Sequence, residues 1–289
     1  MDSAVFSDYF LPFVLFVIMF GIGLSLEKKD FENVFIYPRA IFVGLTAQMV
    51  LLPLVAFLLI GFTDLSPVVK VGFILIAACP GGSAANLVNY LLRGNVALCI
   101  SLAAFNSLLI LITLPLIVNL GLTLFIGKTQ EIVLPVWDTI IKIFVTTLTP
   151  AFLGVVVRHK NIRLANRLSR PMRYIMTILL FSVFAALIIF EERTTNTGIS
   201  KYLYLFPYAI ALNLTAMLVG YLFARRMGLD NRSNFTISVE VGLQNSALAI
   251  FVADSLLDNR EMAMVAVVYS SFTFFSTLLF GYLAKRYGY

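Results

Sequence analysis

The sequence predicts an all-α polytopic membrane protein with nine transmembrane helices, two of them discontinuous. Three observations carry this. Of the 289 residues, 60% are hydrophobic and 12% charged, with mean hydropathy +0.95, whereas a soluble domain carries about 25% charged residues. Apolar stretches fill the chain from Phe10 to Leu283 without the alternation of a membrane β-barrel, so each reads as helix. Two stretches are interrupted midway by Pro-Gly-Gly and by a Glu-Gly-Gln-Asn cluster.

At about 20 residues per crossing, the spans fall at 8–26, 38–60, 67–92, 95–119, 138–157, 172–190, 202–224, 233–257 and 262–284, and residues 1–289 form one membrane domain. The N-terminus has no basic segment ahead of its first apolar run, so a cleaved signal peptide is not expected. The net charge of +6 sits in short loops, which points to topology and not to nucleic acid. The loops after spans one, three, five and seven and the C-terminal tail hold 15 of the 21 Lys and Arg. The opposite side holds Lys70, Lys128, Arg193, Lys201 and Arg260, and Lys142 lies within span five. By the positive-inside rule the N-terminus is outside and the C-terminus cytoplasmic, in a plasma membrane or a bacterial inner membrane. Tyr287 and Tyr289 read as interfacial belt residues. Cys79 and Cys99 are both in apolar stretches and read as free thiols, and a lone His159 makes no metal site. No nucleophile–base pair is recognisable, so an enzyme is not expected and no cofactor is implied.

Span three contains Cys79-Pro80-Gly81-Gly82-Ser83-Ala84-Ala85-Asn86. Proline and two glycines break the helical ladder there. In hydrocarbon such a break survives only inside protein or beside an aqueous cavity. It creates a helix N-terminus near Ser83 whose free N–H groups suit an anion. Span eight contains Ser238-Val239-Glu240-Val241-Gly242-Leu243-Gln244-Asn245-Ser246. A carboxylate at the bilayer centre costs on the order of 3 kcal/mol or more and needs a partner. A bound cation or a proton supplies one, and Gln244 and Asn245 add neutral oxygens suited to a hard cation such as Na⁺. Spans three and eight lie five spans apart and so run in opposite directions, the layout of an inverted-repeat transporter whose broken helices meet at the midplane. Gln48 in span two, with Pro53 after it, is a further polar candidate. Asn106, Asn119, Asn213 and Thr273 read as helix–helix glue or cavity lining.

These two segments, with Arg93-Gly94-Asn95-Val96-Ala97-Leu98 between them, resemble the bile acid–sodium symporter family along nearly the whole chain, in its nine-helix form. The resemblance implies a core domain holding the two crossed broken helices (38–119 and 202–285) that moves against a panel (8–26 and 138–190). It implies an organic anion substrate, bile-acid-like, steroid-like or a smaller carboxylate, carried by alternating access on a sodium gradient. Of the family's two sodium sites, Gln48, Glu240, Val241, Leu243 and Gln244 match one in full. The other keeps Asn86 and Glu240, but Ala85, Cys99 and Ala103 stand where the family has hydroxyl ligands. Alanine offers no side-chain ligand and a thiol is a poor one for Na⁺. Ser101 points elsewhere on its helix and does not substitute. Ser83, Asn86 and Asn245 are the substrate-binding candidates, and span nine, reading Tyr269-Ser270-Ser271-Phe272-Thr273, departs from the usual polar pattern. The expectation is transport coupled to one Na⁺ through the retained site. A proton-coupled or sodium-independent anion carrier on the same fold is the alternative. A channel would need a continuous polar path, and the polar residues cluster at two breaks instead.

Overall fold

A computed structural model describes residues 5–127, 134–195 and 198–286. Lys128, Tyr287 and Tyr289 lie outside the described residues, as do the side chains of Ser83 and Arg193.

The described residues are helical apart from short links and one isolated antiparallel bridge. Seven helices among them are long and apolar enough to cross a membrane. In chain order the elements are α1 (Phe6–Gly23), α2 (Lys28–Ile36), α3 (Pro38–Gly61), α4 (Pro67–Ala78), α5 (Ser83–Leu91), α6 (Val96–Ile126), α7 (Val136–Lys160), α8 (Ile162–Thr195), α9 (Phe206–Arg226), α10 (Asn231–Gly242), α11 (Ser246–Leu256) and α12 (Arg260–Arg286). Each expected interrupted span is thus a pair of short helices, α4 with α5 and α10 with α11. A 3₁₀ segment, Gly198–Leu205, leads into α9.

Three expectations from the apolar pattern are corrected. Helix α8 begins at Ile162, not near residue 172. Asn161 caps it, its Oδ1 accepting from Leu164 N at 2.9 Å. The first turns are polar, with Arg163, Arg167, Arg170 and Arg173 all exposed, so helicity continues where hydrophobicity stops. Helix α6 continues to Ile126 instead of ending at Asn119. The Asn119 amide does not mark a helix end: it bonds the backbone N and O of Leu134 at 3.2 and 2.9 Å. Lys28 and Lys29, expected in a loop, begin α2, which packs on α6. Asp30 reaches back to the N–H of Glu27 at 2.7 Å, the reciprocal half of a capping arrangement.

Three helices widen into a π-turn just before a proline: Phe6–Phe10 before Pro12, Ala47–Leu51 before Pro53 and Phe144–Leu148 before Pro150. Proline lacks an N–H and its ring crowds the carbonyl four residues earlier. A wider turn relieves that crowding without ending the helix, at the expense of regular hydrogen bonding. Gln48 and Thr147 both lie in such turns.

Helices α7 and α8 both pack on α1, while α4 packs on α6 and α12, and α9 on α10 and α12. The α1–α7 contact is backbone to backbone. A Cβ added at Gly23 would overlap the Ala151 carbonyl, and one at Gly154 would meet the Phe20–Leu24 backbone. Beyond the helix ends, Arg158 donates to Leu24 O at 3.1 Å and pairs with Glu27. The Lys29 hydrogen bond, then the one from Arg158, hold the Glu27 carboxyl below its ordinary range. Gly23→Ala is expected to lower the thermal midpoint of purified protein. The overpacking should cost about 1–3 kcal/mol, readable in a melting curve beside the wild type.

Candidate cation and anion site at the helix crossing

Helix α4 stops because Pro80 has no N–H to continue it and Cys79 turns extended. Gly82 is also extended, and α5 starts at Ser83. Helix α10 stops at Gly242 and Leu243 is extended. Asn245 then caps α11, its Oδ1 accepting from Leu248 N at 3.1 Å. The two extended pieces lie antiparallel across each other. Gly82 N donates to Leu243 O and Asn245 N donates to Pro80 O, each at 2.8 Å, with Gly81 opposite Gln244.

Both breaks leave carbonyls that a helix would have satisfied, and buried side chains take them up. Gln48 Nε2 donates to Cys79 O at 2.8 Å. Asn213 Nδ2 and the Tyr269 hydroxyl donate to Gly242 O at 2.8 and 3.0 Å. Gln244 Nε2 donates to Val241 O at 2.7 Å. The glycines permit the approach: a Cβ on Gly81 would overlap Glu240 Oε1, and one on Gly82 would come to 3.0 Å from Gln244 O.

The five residues expected to hold a cation are brought together from α3, α10 and the extended piece after it. Gln48 Nε2 donates to Gln244 Oε1 at 2.8 Å, and Gln48, Glu240 and Val241 are almost wholly buried. Gln48 Oε1 and Glu240 Oε1 are buried and make no hydrogen bond. Two inward oxygens without donors, one on a carboxylate, beside backbone carbonyls form a donor set fit for a hard cation.

On the other side of Glu240, two of the positions expected to form the degenerate site, Cys99 and Glu240, are joined by a hydrogen bond. Cys99 Sγ donates to Glu240 Oε2 at 3.1 Å and accepts from Asn89 Nδ2 at 3.2 Å. Asn89 Oδ1 accepts from Thr236 Oγ1 at 2.8 Å. Ala85 is fully buried against this network. Ser101 is turned away, donating to Asp30 O at 2.7 Å. Ala103 and Asn86 instead border a small cavity with Pro80, Gly81, Gly82, Asn245, Ser107 and Thr147, closed by Met19 and Ile22 of α1. Of the substrate candidates, Asn86 and Asn245 line it; the Ser83 side chain lies outside the described residues. Asn86 Oδ1 and Thr147 Oγ1 are buried and unpartnered.

Sequence reasoning did not assign Tyr269, Thr236, Ser107 or Thr147 to the site, and it read Asn213 only as helix–helix glue or cavity lining. A polar residue within an apolar span was the available signal, but it does not say which break a side chain reaches. Besides Asp30, two further buried carboxylates sit near helix ends. Asp254 accepts from Ser7 Oγ at 2.5 Å and pairs with Arg260, and Glu191 accepts from the Tyr202 hydroxyl at 2.9 Å.

A carboxylate buried where two broken helices cross, among helices long and apolar enough to cross a membrane, is the arrangement of a multi-pass membrane protein with a polar centre. The chain belongs to the sodium bile acid symporter family, whose description residues 12–196 match. It is 30% identical over 256 residues to a probable chloroplastic sodium/metabolite cotransporter of Arabidopsis thaliana, covering 89% of this chain and 62% of that protein. It is 30% identical over 245 residues to an uncharacterized sodium-dependent transporter of Bacillus subtilis, covering 84% of this chain and 73% of that protein. The ileal sodium/bile acid cotransporter of Homo sapiens is 26% identical over 285 residues, 94% of this chain and 78% of that protein. The chain thus spans less than two thirds of the length of the Arabidopsis relative.

Gly81→Ala is expected to force Glu240 away from the crossing. Its thermal midpoint should fall by an amount equivalent to about 1–3 kcal/mol. Any stabilisation by added Na⁺ should weaken with it, as a salt titration of the melting temperature would read.

Proposed function

We propose that this protein is a secondary active transporter that couples uptake of a small organic anion to one Na⁺, held at Gln48, Glu240, Val241, Leu243 and Gln244. The observation that carries the reading is the pair of buried, unpartnered oxygens on Gln48 and Glu240 beside the crossing. Na⁺ bound there would give the carboxylate the partner that its depth in the membrane demands. Family membership and relatives named as sodium-dependent support the choice of ion.

The two half-helix pairs complete nine crossings with the seven long helices. α4–α5 and α10–α11 are the matching members of an inverted repeat, and their antiparallel pairing supports this. α1, α7 and α8 form the panel, and the remaining long helices with the crossing form the core, which the packing of α7 and α8 on α1 favours. The basic loops put the N-terminus outside and the C-terminus in the cytoplasm. The substrate enters the cleft between α1, α7 and the crossing, where Asn86 and Asn245 meet its carboxylate near the N-terminus of α5. Bile-acid-like anions and smaller carboxylates both satisfy that chemistry.

The second cation site does not operate. The Cys99 thiol hydrogen-bonds to the Glu240 oxygen that a second ion would share, and Ala85 and Ala103 contribute no ligand. Coupling therefore has a stoichiometry of one.

Proteoliposome uptake of candidate organic anions tests this. Uptake should need Na⁺, with a Hill coefficient near one, and Glu240→Gln should reduce it at least tenfold. A coefficient near two would overturn the single-ion reading. Uptake that persists in choline and follows a pH gradient would establish the proton-coupled alternative. The triple variant Ala85→Ser, Cys99→Ser, Ala103→Thr should raise the coefficient towards two by restoring oxygen ligands around Glu240.

A further inference from the structure

Helix α6 carries three residues on the face turned to the crossing: Cys99, Ala103 and Asn106, at helical positions i, i+4 and i+7. Cys99 touches Glu240 and Ala103 borders the cleft next to α1. Asn106 is completely buried, and neither its Nδ2 nor its Oδ1 makes a hydrogen bond. An unsatisfied buried amide costs roughly 1–3 kcal/mol, so its presence calls for a ligand. The side chain lies close enough to the Glu240 carboxylate for its amide to interact with it, short of full hydrogen-bond geometry. It also lines a cavity with Gln48, Cys79, Pro80 and Thr113 that has room for about one water or an ion of that size. Three buried oxygens on three helices around the crossing thus lack hydrogen-bond partners: Gln48 Oε1 of α3 and Asn106 Oδ1 of α6, which share this cavity, and Glu240 Oε1 of α10.

We propose that Asn106 supplies a side-chain oxygen to the coupling cation, so that the ion sits between Gln48, Glu240 and Asn106 and helix α6 is tied to the cation site. The inference rests on the Na⁺ reading above and adds a ligand to it. The same helix that lost its hydroxyl ligands at positions 99 and 103 regains a cation contact two turns on. The cation would then bridge α3, α6 and α10, and its release would loosen α6 from the crossing. A resident water is the competing occupant of the cavity, and the two differ in their salt dependence.

The test is the melting temperature of the full-length protein in detergent, titrated with NaCl against choline chloride at constant ionic strength. Asn106→Leu should melt in choline at or above the wild-type temperature, because it removes an unsatisfied amide. It should need at least tenfold more Na⁺ for half-maximal stabilisation. Asn106→Ser, smaller and still an oxygen donor, should fall between the two and serves if the leucine variant does not fold. If both variants keep the wild-type Na⁺ midpoint within twofold, or melt lower by the same amount in Na⁺ and choline, Asn106 holds only a water and the inference fails while sodium coupling stands. If the wild type itself ignores Na⁺, the sodium reading fails first and this site with it.

Discussion

Two backbone hydrogen bonds organise this protein: Gly82 N to Leu243 O and Asn245 N to Pro80 O, each 2.8 Å long. Within a bilayer an unpaired peptide group costs several kcal/mol, so a helix interrupted at that depth needs an exact backbone partner. Each break is the other's partner. The crossing cannot open on one side alone, since freeing the α4–α5 link also strips the α10–α11 link. The remaining carbonyls are taken by amides and a hydroxyl from α3, α9 and α12, which bind the neighbouring helices to the same point. Gly81 is compelled by the result, because the space a Cβ would fill belongs to Glu240.

From this constraint follows the character of the site. Backbone that is not helical must face protein or a cavity, and here it faces both. One flank holds oxygens of Gln48, Glu240 and Asn106 without donors, the other a cleft bounded by Asn86 and Asn245 and roofed by α1. Glu240 stands between two different environments. One of its oxygens takes the Cys99 thiol proton in a hydrogen bond, and the other takes none. On that flank the chain Thr236–Asn89–Cys99–Glu240 ties α5, α6 and α10 together through hydrogen bonds.

Prolines shape the surroundings as much as the breaks do. Before Pro53 and Pro150 the helices widen instead of stopping, and the widened turns carry Gln48 and Thr147. Both side chains are buried at the two cavities beside the crossing. A proline within an apolar span thus has more than one outcome. Next to Gly-Gly, as at Pro80, the helix ends; before Pro53 and Pro150 it continues through a π-turn, and at Pro115 it continues as α-helix.

The sequence alone determined the membrane character, the positions of both breaks and the identity of the carboxylate, because these depend on local properties. Long apolar runs leave only helix as an option, Pro-Gly-Gly ends one whatever surrounds it, and a glutamate among apolar residues requires a partner. The absence of side-chain oxygen at Ala85, Cys99 and Ala103 was equally legible, since folding cannot supply one. The sequence misplaced the start of α8 and the end of α6, where charge or a lone Asn stood in for a boundary that the backbone did not observe. What only the tertiary structure decided is which polar side chain reaches which break. Asn213 and Asn106 look alike in the sequence, yet one is spent on Gly242 O and the other has no partner. That difference arises from how α6 and α9 are rotated against the crossing, and the rotation is set by packing over the whole bundle, not by neighbours in the chain.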